Sequence, residues 1–354
     1  MSTLTTEIVL PGIVEPDGLL VRDRELPAPG PGQALVRVEA SGVSFAEQQM
    51  RRGKYYDQPP FPFTPGYDLV GLVEAVGPGV DAGLAGTRVA AVTKTGGWAT
   101  AVTVDAADLM PVPDGVDPAA AETVVVNGVT AWQMLHRVAR IANVRPGGTI
   151  LVLGANGGVG STLTQLARHA GIRVVGTASA RHHDAVRALG AEPLDYRAPD
   201  VAARARALAP GGYDAVFDHV GGPGIADSWR LVRRGGTLVS YGTAATRDIA
   251  GNARLPVLVL FGRLLWWNLL PNGRRAAFYN VWAGRRRPAA FRARMREDLT
   301  RVFALLADGS LTAQVAARIP LHRAPEALRL AESGTVTGKV VLVADPSRVV
   351  PATE

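Results

Sequence analysis

Leu151-Val-Leu-Gly154-Ala155-Asn156-Gly157-Gly158-Val159-Gly160, followed by Ser161-Thr-Leu-Thr-Gln-Leu-Ala167, decides how this chain is read. Three apolar residues deliver a strand to a glycine-rich turn, and the residues after the turn open a helix. Against the pattern G-x-G-x-x-G the stretch reads Ala155-x-Gly157-x-x-Gly160, with alanine at the first position. Gly157 and Gly158 let the backbone approach a pyrophosphate, with Ala155, Asn156 and Val159 completing the turn around it. Gly160 lets the helix sit close to the strand, and the helix N-terminus offers unpaired N–H groups and positive dipole charge. A glycine pattern alone is weak, but this one has the strand before it and the helix after it that dinucleotide binding requires. The bland alternative is a glycine-rich turn that holds no ligand.

Outward from this loop, short apolar strands alternate with helices of about ten residues. Strands are expected at 149–153, 173–176, 193–196, 213–218 and 236–241, and helices at 161–170, 181–189, 201–208 and 227–232. Parallel strands need a long crossover, so the alternation implies βαβ units. A helix is expected from Thr130 to Arg140. An earlier short one is capped by Asp117 and opened by Pro118. Residues 1 to about 125 have a different grammar: apolar runs at 34–40, 68–76, 87–93 and 98–104 are separated by Pro/Gly turns, as in a partly open barrel or sandwich. After 255 the pattern predicts an apolar helix to 270, a strand at 275–281 and a charged helix at 289–307. Two final β-like segments, 311–319 and 340–343, suggest that the chain returns to its first domain.

Composition narrows the function classes. The 354 residues are 47% hydrophobic and 19% charged, which argues for a cored protein of about two domains and against disorder. With no cysteine there can be no disulfide, thiolate zinc site, iron–sulfur cluster or cysteine nucleophile. The net charge of +7 comes almost wholly from arginine, without the basic stripe and stacking aromatics of a nucleic-acid footprint. The longest apolar run, Leu255–Leu270, contains Gly262 and Arg263 and is shorter than the roughly 20 residues of a bilayer span. The start lacks a basic and apolar leader. The expectation is a cytoplasmic protein without a membrane span or nucleic-acid partner.

The choice of nicotinamide cofactor is read at the end of the second strand of the α/β region. An Asp or Glu there would bind the ribose hydroxyls of NAD. This chain has Gly176-Thr-Ala-Ser179-Ala-Arg181-His182-His183 and no acid. An acid would repel a 2′-phosphate, whereas Arg181 can pair with one bidentately, so the stretch favours NADPH. Arg181, His182 and His183 as the solvated start of a helix is the alternative.

These residues resemble the zinc-independent, quinone oxidoreductase-like branch of the medium-chain dehydrogenase/reductase superfamily. The resemblance runs over nearly the whole chain, through Ser41-Gly-Val-Ser-Phe45, Thr64-Pro-Gly-Tyr-Asp-Leu-Val-Gly71, Asn127-Gly-Val-Thr-Ala131, the glycine loop, Leu194-Asp-Tyr-Arg197, Phe217-Asp-His-Val-Gly221, Gly236-Thr-Leu-Val-Ser-Tyr-Gly242 and Gly338-Lys-Val-Val-Leu342. It implies an α/β plus β fold: a Rossmann doubly wound parallel sheet, 126–289, inserted into a GroES-like β-rich catalytic domain, 1–125 and 290–354, with NADPH in the cleft. It further implies that Thr130 reaches the nicotinamide half and Ala155–Val159 the pyrophosphate. Ser179, Arg181 and Tyr196 would lie at the 2′-phosphate end, and Val220, Tyr241 and Gly242 along the remaining wall. Lys339 would stand near the 2′-phosphate, or else be a surface cation.

The chain departs from the pattern in two places. Zinc-dependent relatives carry Gly-His-Glu where this chain has Gly66-Tyr67-Asp68, and no metal site is expected. The family's Asn-Phe pair is Ser44-Phe45, and a tyrosine position is Gln49, while another is kept as Tyr55. Tyr55 is therefore the first candidate to orient or protonate substrate, with Ser44 and Gln49 as polar contacts; Tyr55 and Tyr56 as loop-packing aromatics is the alternative. The expected chemistry is hydride transfer from NADPH to a quinone or to the C=C bond of an α,β-unsaturated carbonyl, on a small, apolar, electrophilic acceptor. The competing readings are a ketone reductase of the same superfamily and a low-turnover NADPH-binding protein acting through partners. The aromatic-rich stretch Leu255–Trp282 reads as a pocket wall, a homodimer seam or ordinary core.

Overall fold

The computed structural model describes residues 2–139, 147–246 and 254–344. The chain divides into two compact units, Met1–Val126 with Arg292–Glu354, and Asn127–Phe291. The first opens with a two-stranded antiparallel hairpin, β1 (Thr3–Val9) and β2 (Leu20–Leu26), which the sequence reading did not anticipate. β2 lacks apolar alternation because most of it faces solvent. It is held by Arg22 and Arg24, each donating at 2.9 Å to the buried Glu7 carboxylate across the pair.

Strand β3 (Gln33–Val43) is the spine of this unit and leads into helix α1 (Phe45–Arg51). Beyond α1 come β4 (Asp68–Val76), β5 (Arg88–Val92), β6 (Ala101–Asp105), β7 (Met110–Pro111) and helix α2 (Pro118–Thr123). β3 pairs antiparallel with both β4 and β6, and Ala34, Val36 and Val38 pack with Leu69, Val73 and Val89 as its core. α2 begins as the sequence predicts, with Asp117 accepting from the Ala120 N–H at 2.9 Å and proline in the first turn.

The second unit takes up the chain in helix α3 (Val126–Trp132), which continues as a π-helical turn to Val138; the predicted end at Arg140 lies outside the described residues. Then β8 (Thr149–Val152), α4 (Gly158–His169), β9 (Arg173–Ala178), α5 (His183–Ala188), β10 (Ala191–Asp195), α6 (Val201–Leu208), β11 (Tyr213–Asp218), α7 (Ile225–Leu231), β12 (Val232–Ser240), α8 (Arg254–Leu269) and β13 (Arg275–Phe278) follow. The six strands form one parallel sheet in the order β10-β9-β8-β11-β12-β13. The chain steps outward from β8 to β10, then returns to lay β11 beside β8. The direction of winding reverses there, which is where doubly wound sheets open a ligand crevice. The strand expected at 275–281 stops at Phe278, because the Asn280 side chain accepts from the Trp282 N–H at 2.9 Å and turns the backbone away.

The chain re-enters the first unit through α9 (Pro288–Ala307), then β14 (Val315–Pro320), α10 (Ala324–Glu332) and β15 (Lys339–Val343). β15 runs parallel to β14 and antiparallel to β3, with Val340 opposite Val43 and Val343 opposite Ala40. α10 was not foreseen: its N-cap, Arg323, makes no side-chain cap, and its start is marked only by proline and Glu326 in the first turn. Among the described residues no helix is long and apolar enough to cross a membrane.

Candidate active site

In the second unit every predicted cofactor residue except Thr130 and Gly176 lies just beyond the carboxyl end of a sheet strand. After β8 the chain turns at Gly154, whose φ of 68° is left-handed. The loop is tied to β9, since the Gly154 N–H donates to Thr177 Oγ1 at 3.0 Å and the Ala155 N–H to the Thr177 carbonyl at 2.9 Å. Its inner glycines are enforced by packing. A Cβ on Gly160 would lie 2.2 Å from the Gly154 carbonyl oxygen, and one on Gly158 2.4 Å from Asn127 Nδ2. Gly157, the N-cap of α4, meets nothing nearer than 3.4 Å, so the loop is closed beneath and open at the helix mouth. Gly176, within β9, is required by Ala155, whose methyl would be 2.5 Å from a new Cβ. Asn127 and Thr130 are both buried on α3; Asn127, against the loop, is a site residue the sequence reading did not single out.

At the end of β9, Ser179 is buried and Arg181 is exposed, its Nε donating to Ser179 Oγ at 3.4 Å. Arg181 lies in a 3-10 turn, Ala180–His182, that precedes α5, not in the first turn of the helix itself. Tyr196, past β10, is half exposed, with the Arg197 guanidinium 5.5 Å from its ring centre. Beyond β11, Asp218 is buried and accepts from the Val220 and Gly221 N–H groups, each at 2.8 Å, and from Ser228 Oγ at 2.6 Å. That carboxylate fixes the turn carrying His219 and Val220. His219 Nδ1 sits 3.1 Å from the Leu153 carbonyl, which makes it the N–H nitrogen and leaves Nε2 as an acceptor. Burial pushes this imidazole below its ordinary pKa against the pull of Asp218, so it is neutral at pH 7. Tyr241, 6.0 Å from that ring, is fixed through its N–H on the Asp218 carbonyl, and burial raises its phenol. Gly242 is required by the His219 carbonyl oxygen, 2.5 Å from where its Cβ would be. The open helix mouth, the acid-free β9 end and Arg181 together fit a phosphorylated dinucleotide.

In the first unit Ser44 caps α1. Its Oγ accepts from the Ala46 N–H at 3.2 Å and its proton goes to Glu47, which also accepts from the Ser44 N–H at 2.9 Å. The hydroxyl expected to contact substrate is thus engaged within the helix cap. Glu47 is buried, which raises its pKa, and its second oxygen accepts from the Tyr67 N–H at 2.6 Å. Tyr67 follows Gly66, whose φ is 112° and on which a Cβ would lie 2.4 Å from Gly97 Cα, so no side chain fits there. Its hydroxyl stands 2.8 Å from that of Tyr55. Burial, with the Tyr67 and Tyr56 phenols beside it, pushes Tyr55 well above the ordinary tyrosine pKa. Gln49 is buried, and neither end of its amide is hydrogen-bonded among the described residues. Tyr67 was legible only as the residue standing where zinc-dependent relatives have histidine.

Lys339 corrects the sequence expectation. It is buried, with Nζ 2.7 Å from Asp68 Oδ2 and 2.7 Å from Glu122 Oε1. Enclosed between two carboxylates of its own unit, this ammonium can serve neither a 2′-phosphate nor the surface. Burial alone would lower its pKa, but the Asp68 and Glu122 charges raise it. Glu122 is itself pushed well up, by burial first and by the neighbouring Asp68 next. Gly42 is glycine because the lysine stem passes it: a Cβ there would be 2.0 Å from Lys339 Cε.

Comparison with known proteins agrees with this architecture. Residues 30–114 match the model of the alcohol dehydrogenase GroES-like domain, and residues 189–342 that of zinc-binding dehydrogenases. The chain is 32% identical over 338 residues to the synaptic vesicle membrane protein VAT-1 homolog of Rattus norvegicus, covering 91% of this chain and 79% of that protein. It is 34% identical over 324 residues to a mycocerosic acid synthase-like polyketide synthase of Mycobacterium tuberculosis, covering 89% of this chain but 14% of the synthase. Among solved structures, a quinone oxidoreductase of Pseudomonas syringae superposes with a TM-score of 0.82 at 28% identity, covering 97% of this chain and all of that one. A mycobacterial protein complexed with NADPH does so at 0.80 and 29%, covering 96% and 99%. The chain belongs to the medium-chain dehydrogenase/reductase superfamily, in its quinone oxidoreductase-like branch. The zinc named for one matching model does not fit these residues. The chain has no cysteine, and among the described residues no three of His, Asp and Glu are grouped to hold a metal.

Proposed function

We propose that the protein is an NADPH-dependent oxidoreductase that reduces a quinone or the conjugated C=C bond of an α,β-unsaturated carbonyl. The observation that carries this reading is the open mouth of α4 at the switch between β8 and β11, with Arg181 and no acid at the end of β9. When bound, NADPH supplies a hydride. The glycine loop would hold its pyrophosphate with backbone N–H groups, Arg181 and Ser179 its 2′-phosphate, and Thr130, Val220 and Tyr241 its nicotinamide side. Tyr55, kept protonated by its raised pKa, would donate to the acceptor oxygen or α-carbon as negative charge develops there. Tyr67 would steady the phenolate left on Tyr55 by donating its own O–H, at the 2.8 Å separation of the two hydroxyls. A conjugated acceptor suits this equipment, because it spreads the developing negative charge over its own atoms.

The test is fluorescence titration with NADPH and NADH, followed by absorbance at 340 nm with 1,4-benzoquinone, phenanthrenequinone, trans-2-hexenal and cyclohexanone. The expected result is tight NADPH binding and oxidation with the quinones or the enal. Tight binding with no acceptor reduced would favour the low-turnover binding protein, and consumption of cyclohexanone alone would favour the ketone reductase.

A further inference from the structure

Helix α3 carries two buried polar side chains that the fold leaves unanswered. Asn127 and Thr130 are each 7% exposed. Among the described residues neither the Asn127 amide nor the Thr130 hydroxyl has a hydrogen-bond partner. Three apart on one helix, they share a face. The buried hydroxyls of α4 behave otherwise: Ser161, Thr162 and Thr164 donate to backbone carbonyls one turn back at 3.1, 3.0 and 2.8 Å. A buried polar group without a partner is rare and forfeits a hydrogen bond, so each one calls for a partner from outside the chain or a reason to lack one.

For Asn127 the surroundings name that partner. A Cβ on Gly158 would lie 2.4 Å from Asn127 Nδ2, 3.1 Å from Cγ and 3.4 Å from Oδ1, so the amide lies against the loop with its donor end nearest. Gly158 opens α4, and among the described residues its N–H and those of Val159 and Gly160 have no acceptor. The first that does is the Ser161 N–H, which donates to the Gly157 carbonyl at 2.8 Å. Asn127 could have capped this terminus through its oxygen, yet the helix has no side-chain cap. Its Nδ2 therefore stands beside three unanswered backbone donors at the positive end of the α4 dipole. Converging donors with no acceptor among them make an anion site. The amide is neutral, so unlike Arg181 it adds no charge by which to tell a phosphorylated ribose from a plain one.

We infer that Asn127 binds the cofactor, its Nδ2 donating to the pyrophosphate at the mouth of α4, and that it takes no part in choosing NADPH over NADH. This rests on the dinucleotide reading of the glycine loop and not on which acceptor is reduced, so fluorescence titration of the full chain tests it without turnover. Asn127→Ala should weaken NADPH and NADH by the same factor, about 10- to 100-fold, as for loss of a hydrogen bond to a charged group. Adenosine 2′-monophosphate, which has the 2′-phosphate and no pyrophosphate, should bind wild type and variant alike in displacement titrations. Asn127→Asp keeps the shape but sets a negative charge against the pyrophosphate. It should bind both nucleotides more weakly than Asn127→Ala, and the gap should narrow as salt is raised. The melting temperature of the cofactor-free protein should hold in both variants, since nothing in the fold bonds to this amide. Wild-type affinity in Asn127→Ala, a loss confined to NADPH, or a parallel loss for adenosine 2′-monophosphate would overturn the role. So would binding by Asn127→Asp as tight as by wild type, or a melting temperature that falls in both variants, which would make the amide structural. A wild type that binds neither nucleotide would overturn the dinucleotide reading itself, and this inference with it.

Discussion

On the proposed reading cofactor choice turns on Arg181 and proton delivery on Tyr55, and each makes a different measurable demand. Arg181→Ala should weaken NADPH by about 10- to 100-fold, the ~1.5–3 kcal/mol of a charged hydrogen bond, and leave NADH within about twofold in the same titration. An equal loss for both would remove the 2′-phosphate role. Tyr55→Phe should lower kcat by about 100-fold or more, as expected for loss of a general acid, whereas Tyr67→Phe should lower it by only about 3- to 10-fold with the KM for NADPH unchanged. A general acid works in its protonated form, and Tyr55 has its pKa raised, so it stays competent as pH increases. The pH–rate profile should therefore show no alkaline limb from Tyr55 below about pH 10, the ordinary tyrosine value. A limb near pH 8 that disappears in Tyr55→Phe would contradict this. The motif around Ser44 was legible, but its function was not. Only the three-residue spacing to Glu47 signalled a cap, and Ser44 was weighed as a substrate contact instead. Lys339 misled for the opposite reason: a lone cation in sequence carries no sign of the two carboxylates that the fold folds around it.

Elements formed where local signals agreed and shifted where tertiary contacts outweighed them. β4, α6 and β11 have the bounds that alternation or apolar runs indicated, since each strand or helix is bracketed by turn residues. β2 and α10 escaped notice because their stability lies in cross-strand ion pairs and tertiary packing. The β8–α4 junction was legible as strand, glycine turn and helix, because its glycines are steric necessities, although α4 begins at Gly158, three residues before the expected start at 161. Gly160→Ala should cost stability at the upper end of the about 1–3 kcal/mol of overpacking, since the opposing group is the Gly154 backbone, and a thermal melt would show it. The β3–β4–β15 contact makes a second demand. Lys339→Met strips the cation from two buried carboxylates and should cost about 3–5 kcal/mol while leaving the NADPH/NADH preference intact.

The whole molecule is a discontinuous unit wrapped in sequence around a continuous one. That arrangement was visible in the return to β-like segments after 310, although nothing in those segments announced which strand they would meet. The structure supplies the partner and the stitching. β15 pairs with β3, the buried Arg51 grips Glu332 at 2.9 Å, and Arg292 reaches Asp108 at 2.6 Å. Truncation before Lys339 should therefore abolish the cooperative melt of the first unit, because β3 loses a neighbour and Asp68 and Glu122 lose their cation. The same topology orders events during synthesis. Every strand of the Asn127–Phe291 unit has been made before Lys339–Val343 exist, so that unit can close while the ribosome is still working. The Ala40–Val43 end of β3 must wait with one flank unpaired until translation reaches the strand that completes it. For that interval the nascent chain is most exposed to chaperones and to aggregation.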